Sequence, residues 1–372
     1  MTYLAVGLMS GTSLDGVSAA LVRLESDPPD ATLVAFHQEP YTGAERGQII
    51  DAIARGGARE LSILHVALGE RFAGAVLQLL ATAKVAPRDL AFVASHGQTV
   101  WHEPGQATLQ LGDSAVLAER LGARVVSDFR ARDVAAGGQG APLVPLADVM
   151  LFGHPERGRL LLNIGGMANV TWVPRRGVLD GAVAFDTGPG VAVIDAVTRR
   201  LDPDATYDKD GERARRGRPV PKVLESLLRD EFFAQKPPKS TGRERFGSGY
   251  ADRVIELVRA AGGSDNDAVA TATALTVEAI GRGIETWTPA PRDAELVISG
   301  GGARNPALVQ LLAARTRPRS IVPFDRLFFD GDAKEAVAFA FLGWLTVHGR
   351  PGNLPAATGA RGPRILGHIT SA

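Results

Sequence analysis

An order of strand, glycine turn, strand and strand occurs twice in this chain, about 150 residues apart, and the recurrence narrows the possible folds sharply. The first copy runs Leu4–Met9, a turn at Gly11 to Gly16, Val17–Glu25 and Leu33–Tyr41. The second runs Arg159–Ile164, Gly165-Gly166, Val170–Pro174 and Val183–Phe185. Such an internal duplication predicts two related α/β lobes facing each other. Between the copies, Leu61, Leu64, Leu68, Phe72, Val76 and Leu79 recur every three or four residues, so Glu60 to Val85 reads as a helix with a core face. Two strands are expected to flank the loop from Ser95 to Pro104, and Arg124–Asp128 closes the first half. Helices dominate the remainder: Val220–Ala234, Tyr250–Ala261, Asp267–Trp287, Pro306–Thr316 and Lys334–His348, with the strand Glu295–Ser299 among them. At 372 residues the chain exceeds what one core usually serves, which predicts two domains and a cleft. The expected division is 1–132, completed by the tail 350–372, and 133–349.

Lys plus Arg and Asp plus Glu each number 41, so no charge excess points to nucleic acid or an anionic membrane, and a small-molecule partner is expected. The chain opens on a strand-like run, Tyr3 to Leu8, without the pattern of an export signal. No apolar stretch is expected to reach membrane-spanning length, and the protein is expected in the cytoplasm. With no Cys, disulfides, thiolate metal sites and cysteine nucleophiles are excluded. None of the seven His residues falls in a helical His-Glu-x-x-His zinc pattern.

The residue that speaks most directly to chemistry is Asp186, in the run Ala182-Val183-Ala184-Phe185-Asp186-Thr187-Gly188-Pro189-Gly190. Four apolar residues read as a buried strand stopped by Gly and Pro, which delivers the carboxylate to the strand's C-terminal mouth, where α/β folds place ligands. A helix from Val191 is expected to aim backbone N–H groups at an anion nearby. A carboxylate beside an anion site predicts the base of a phosphoryl transferase. The plain alternative is a helix-capping or turn Asp.

Three glycine runs suit a nucleotide. Gly11-Thr12-Ser13-Leu14-Asp15-Gly16 lies between two strands, so it is neither a P-loop nor a Rossmann turn, but a hairpin could wrap phosphates in N–H groups. Thr12 and Ser13 would donate hydroxyls, and Asp15 would lie near a metal ion. Gly165-Gly166 occupies the matching turn of the second copy. Ser299-Gly300-Gly301-Gly302 ends a strand before a helix and could admit an adenosine. Singly each run is most often an ordinary turn; three at strand ends, two in duplicated positions, argue otherwise. For the acceptor, Ser95-His96-Gly97-Gln98-Thr99-Val100-Trp101-His102 offers amide, imidazole and indole groups to a sugar, although a lone His such as His102 is more often structural. Arg130 is placed for a bidentate grip on a carboxylate or, equally, a surface ion pair. Glu335 either favours a helix N-terminus or reaches the cleft. Lys239-Ser240-Thr241-Gly242-Arg243-Glu244 reads as a polar loop that touches substrate or is solvated linker.

Together these segments resemble the anhydro-N-acetylmuramic acid kinase family nearly end to end. The likeness is carried by Gly7-Leu8-Met9-Ser10-Gly11-Thr12-Ser13-Leu14-Asp15-Gly16-Val17, Ser95–Thr99, Asp128-Phe129-Arg130, Gly137–Pro142, Asn163-Ile164-Gly165-Gly166-Met167-Ala168-Asn169, Phe185–Gly190, Pro237–Glu244, Ser299–Asn305 and Pro355-Ala356-Ala357-Thr358-Gly359-Ala360. The resemblance implies the actin-like (ribonuclease H-like) fold of the sugar kinase, Hsp70 and actin superfamily, two lobes with ATP in the interlobe cleft. It implies hydrolytic opening of the 1,6-anhydro bond of anhydro-N-acetylmuramic acid with phosphorylation of O6, giving N-acetylmuramic acid 6-phosphate and ADP in peptidoglycan recycling. Carried onto this chain, Asp186 would activate water. Gly11, Thr12, Ser13, Leu14, Asp15, Gly16, Val17 and Ser18 would form the first ATP hairpin, Gly165 and Gly166 the second, and Gly300, Gly301 and Gly302 the adenosine side. His96, Gln98, Arg130 and Glu335 would face the sugar, with the lactyl carboxylate as the partner of Arg130. ATP would come with Mg2+, near Asp15 or Asp186, and a homodimer is compatible with the pattern. Two positions depart from it: Ser18, where Asp is expected, and Val191, where Asn is expected. Competing readings are a plain amino-sugar kinase of the same fold and a non-enzymatic, ATP-switched actin-like protein.

Overall fold

The computed structural model describes residues 2–27, 29–318 and 320–372. Twelve strands form among them: β1 (Tyr3–Ser10), β2 (Gly16–Ser26), β3 (Pro29–Pro40), β4 (Phe92–Glu103), β5 (Ala107–Leu111), β6 (Val125–Ser127), β7 (Arg159–Ile164), β8 (Met167–Val173), β9 (Val183–Pro189), β10 (Glu295–Ser299), β11 (Ile321–Pro323) and β12 (His368–Thr370). The chain divides into two compact units, one running to Phe152 and resuming over Asp332–Ala372, the other Gly153–Gly331.

The sheet of the first unit has the order β12-β6-β4-β1-β2-β3, with β5 paired to β4; that of the second has the order β11-β10-β7-β8-β9. In the first, β1–β2 and β2–β3 are antiparallel while β1–β4 and β4–β6 are parallel. In the second, β7–β8 and β8–β9 are antiparallel while β7–β10 and β10–β11 are parallel. Order and sense therefore match strand for strand, β3-β2-β1-β4-β6 against β9-β8-β7-β10-β11. The duplication read from the sequence is thus a duplicated α/β fold of the actin-like class.

In the first unit the periodic face of the helix Ala58–Ala83, including Leu64, Leu68, Phe72, Val76 and Leu79, is buried in one core with Val6, Leu8, Val17, Leu21 and Val93. Each such side chain stabilises the unit by about 1.5–3 kcal/mol. This helix, 26 residues long, corrects the expectation that no apolar stretch reaches spanning length: by length and composition it does, with half of its most apolar window buried inside the protein. The helix Lys334–Val347 is buried over nearly its whole length and packs on β1, β2 and β4. Gly7 permits that approach, because a Cβ there would collide with Ala336 O. The same helix ties in the preceding segment through a buried ion pair, Lys334 Nζ to Asp148 Oδ1 at 2.8 Å. The compact units thus divide near 152 and 332, whereas the sequence placed boundaries after 132 and 349; the apolar helix 334–347 belongs with β1. In the second unit one core gathers Leu162, Ile164, Phe185, Ile280, Leu296 and Leu308, and another Ile194, Phe232, Phe246, Val254 and Leu275.

Two local expectations are corrected. Ser95 to His102 is not a loop between strands but lies inside β4, which bends at Gly97 (φ 79°) and changes partner from β1 and β6 to β5. The expected helix Val220–Ala234 is broken into Pro221–Leu227 and Glu231–Ala234, because Asp230 caps the second piece by accepting from Phe232 N at 3.0 Å.

Candidate active site

Each unit carries its own set of polar groups. In the first, the β1–β2 turn is closed by Leu14 N donating to Gly11 O at 3.1 Å. Leu14 takes a left-handed φ of 58°, a strained choice for a branched side chain, and is held there by burial in the core. Thr12, Ser13 and Asp15 are exposed by the same turn. Val17 is fully buried in β2, so its side chain is core, and Ser18 is partly buried opposite Met9.

Gln98, expected to face the sugar, is fully buried beneath this hairpin. Ser10 Oγ donates to its Oε1 at 2.6 Å and lies 2.7 Å from Tyr41 Oη, while its Nε2 donates to Gly11 O at 3.2 Å and Thr99 O at 3.1 Å. With both ends of the amide engaged, its geometry supports holding the hairpin rather than touching a ligand. Ser10 and Tyr41 were not singled out from the sequence; a serine ending an apolar strand and a tyrosine after another give little signal.

His96 is also enclosed, at 2% exposure. Its Nδ1 bonds Gly97 O at 2.7 Å, and its Nε2 accepts from Arg130 Nε at 2.9 Å. Burial first, and the Arg130 guanidinium second, push its pKa down to about 3, so the ring is neutral, as this tautomer requires. Arg130 Nη1 donates to Gly140 O at 2.8 Å. Burial lowers the Arg130 pKa to about 10, opposed by Glu335 and Asp133, and the group stays charged at neutral pH. Its Nη2 makes no hydrogen bond among the described residues, which leaves one edge of the fork for a carboxylate. Glu335 sits in the first turn of Lys334–Val347. Desolvation pushes its carboxyl up, against the pull of Arg130 and Lys334. Its surface is nonetheless open to solvent, so water screens the upward push and leaves the side chain available to a ligand. Trp101 is 55% exposed on the outer half of β4, and His102 bonds Thr108 Oγ1 at 3.1 Å through Nδ1.

In the second unit the turn Gly165-Gly166 joins β7 to β8, with Gly165 N donating to Met167 O at 3.1 Å. A Cβ at Gly165 would meet nothing nearer than 3.5 Å, and one at Gly166 would meet the Arg243 guanidinium at 3.8 Å, so the turn has an open side beside a cation. The helix that follows β9, Ala192–Leu201, starts against the glycine turn. Gly190 N and Ala192 N donate to Gly166 O at 2.8 and 3.1 Å, and Val191 N donates to Gly165 O at 2.9 Å, so these donors tie the helix start to the glycine turn. Val191 itself packs against the core that includes Ile164 and Phe185, which gives its apolar side chain a structural place. At the third run, Gly300 (φ 82°) and Gly302 let the strand end pack on Asn163 and Ile164, while a Cβ at Gly301 would meet nothing within 4 Å. Gly301 is thus the open position of the three.

Asp186 does not end its strand; β9 continues to Pro189. It pairs with Asn169, and the register slips beside it because Gly188 already pairs with Ala168, leaving Thr187 as the extra residue. Bulges of this kind re-aim side chains next to functional sites. The loop 237–244 runs alongside: Asp186 N donates to Lys239 O at 3.1 Å, and Asp186 Oδ2 accepts from Thr241 N at 2.8 Å. Asp186 Oδ1 carries no hydrogen bond among the described residues. Lys239 is buried, donates to Phe232 O at 3.0 Å and lies 4.6 Å from the Phe232 ring; burial lowers its pKa to about 8. Desolvation raises Asp186 to about 7; the Thr241 N–H and Lys239 pull it down, and Glu244 pushes it up. A carboxylate with one oxygen fixed, one unbonded and a pKa near neutrality is suited to general-base work. Among the described residues no three His, Asp or Glu side chains cluster as a metal site.

The profile of the family described as anhydro-N-acetylmuramic acid kinase matches residues 3–372. A Caldanaerobacter subterraneus subsp. tengcongensis protein named anhydro-N-acetylmuramic acid kinase is 42% identical over 382 residues, covering 99% of this chain and 96% of its own. A Salinibacter ruber protein of the same name is 43% identical over 379 residues, covering 98% and 95%. Component A of (R)-2-hydroxyglutaryl-CoA dehydratase from Acidaminococcus fermentans, a solved structure, aligns with a TM-score of 0.46 at 12% identity over 91% of this chain and 96% of its own. With a family match over nearly its whole length and relatives above 40% identity, the chain belongs to the anhydro-N-acetylmuramic acid kinase family.

Proposed function

We propose that this protein is an ATP-dependent kinase that opens 1,6-anhydro-N-acetylmuramic acid with water and phosphorylates O6, serving peptidoglycan recycling. Family membership supports the reaction class, and the observation that carries the mechanism is Asp186, poised near neutrality with one oxygen held by Thr241 N and the other unbonded. Asp186 takes a proton from water as its oxygen bonds to C1. The C1–O6 bond breaks, and O6, released without a proton, takes the γ-phosphoryl group as the bond to ADP breaks. A positioned base of this kind contributes roughly 10²–10⁴-fold.

The open sides of Gly165, Gly166 and Gly301, and the exposed Thr12 and Ser13, suit a phosphate chain and nucleoside. Mg2+ is held largely by phosphates and water and needs few protein carboxylates, so Asp15 as its protein ligand would leave Asp186 to act as base; bound there it would neutralise charge on the transferring phosphoryl group. Arg130 and Glu335 are the groups of the first unit we assign to the sugar, Arg130 to the lactyl carboxylate. We assign the reaction to the cytoplasm, where ATP is supplied.

A coupled assay of ADP formation over a panel of anhydro and ordinary amino sugars tests this. Turnover is expected with anhydro-N-acetylmuramic acid and a ring-opened 6-phosphate as product. A phosphorylated sugar that keeps its bridge would support a plain sugar kinase, and ADP release indifferent to every sugar would support an ATP-switched protein.

A further inference from the structure

Gly137–Pro142, and Pro355–Ala360 more than 200 residues later, lie outside the groups assigned to ATP, water and sugar. A single buried carboxylate joins them. Asp133, fully buried in the short helix Ala131–Ala135, accepts from Gly140 N at 2.9 Å through Oδ2. Through Oδ1 it accepts from Asn353 Nδ2 at 2.7 Å and Thr358 Oγ1 at 2.8 Å. Hydrogen bonds to an ionised acceptor are stronger than neutral ones, and here the acceptor is fixed at both oxygens. Backbone bonds run beside it, with Gln139 N donating to Thr358 O at 2.8 Å and Arg361 N donating to Ala136 O at 3.0 Å. Asn353 is itself fixed by Arg364 N, which donates to its Oδ1 at 2.7 Å.

The clamp ends on Arg130. Gly140 has its N–H held by Asp133 and its carbonyl held by Arg130 Nη1. Its φ of 73°, and a Cβ that would lie 2.7 Å from Val134 Cγ2, restrict the position to glycine. From the other side, His96 Nε2 fixes Arg130 Nε. Two of the three guanidinium nitrogens are thus set before any ligand arrives, and Nη2 is left over. A fork oriented in advance loses less freedom on binding than a mobile one.

The geometry points to Asp133, Asn353 and Thr358 as positioning residues for Arg130, so that the segment 353–361 sets the preference for a sugar carrying a carboxylate. The inference rests on the reading of Arg130 as partner of the lactyl carboxylate. A merely structural cluster would act on every ligand alike; a positioning cluster acts on the carboxylate.

Thr358→Val keeps the shape and removes the hydroxyl donor, and Thr358→Ser restores it. The readouts are KM for anhydro-N-acetylmuramic acid, KM (or Ki, for a non-substrate) for anhydro-N-acetylglucosamine, which lacks the lactyl group, and KM for ATP. Thr358→Val should raise the first by about three- to tenfold, as expected for weakening one hydrogen bond to a charged group. The other two constants should stay unchanged, and Thr358→Ser should recover the wild-type value. Equal rises for both sugars, a rise for ATP, or no change would overturn the assignment. Should Thr358→Val fail to fold, Asn353→Ser is read the same way; unfolding of both would make the cluster a general stabiliser and refute the inference. A wild type that distinguishes neither sugar from a control would instead refute the proposed function, and one that uses both equally would refute the role of Arg130.

Discussion

Asp186→Asn is expected to reduce ADP formation with the anhydro sugar by at least about a hundredfold while leaving ATP binding intact, since it keeps the shape of the side chain and loses the base. Thermal stabilisation by ATP and turnover with sugar are the paired measurements. The electrostatics supply an internal control. Burial raises the Asp186 carboxyl to about 7, well above its ordinary value, so the folded state holds this proton more tightly than the unfolded chain. The ionised carboxylate therefore costs stability, a cost that grows as pH rises from about 4 to 7 and is complete above that. Asn carries no such charge, so the variant should melt at or above the wild-type temperature at pH 8. The same sign governs activity: the base works ionised, and wild-type kcat/KM should fall as pH drops through about 7. Retention of more than about a tenth of the activity in Asp186→Asn would remove this residue from the chemistry.

Arg130→Ala should damage use of anhydro-N-acetylmuramic acid far more than use of anhydro-N-acetylglucosamine. A hydrogen bond between charged groups is worth roughly 1.5–3 kcal/mol, or about ten- to a hundredfold in kcat/KM. His96 is neutral and enclosed, with both ring nitrogens engaged, so its contribution passes through Arg130. Equal losses on the two sugars would show that Arg130 holds the protein together or meets phosphate instead.

The duplication was legible because strand runs and glycine turns are local patterns, and both hairpins fall where those patterns place them. The surroundings of the site residues were less so. Gln98 and His96 read as ligands for a sugar because they are polar groups near an aromatic; the contrary signal was the burial of every residue from Phe92 to Val100 in β4, which a glycine at 97 disguised as a loop. The bulge at Thr187 has no signature in a run whose Gly and Pro suggest that the strand simply stops. Asp133, Asn353 and Thr358 could not be joined from sequence, because their contact spans more than 200 residues and depends on how the tail folds back. Lys239–Glu244, read from the sequence as a polar loop that touches substrate or is solvated linker, supplies the N–H that holds Asp186.

The proposal that water opens the ring while the sugar's own O6 goes to phosphorus is tested most directly by turnover in ¹⁸O-water. The product, N-acetylmuramic acid 6-phosphate, should carry label at the anomeric carbon and none in its phosphate, read early and against product incubated alone to correct for exchange at C1. Label in phosphate would mean that water attacked ATP, and an unlabelled, still-bridged sugar phosphate would mean that Asp186 activates a hydroxyl rather than water.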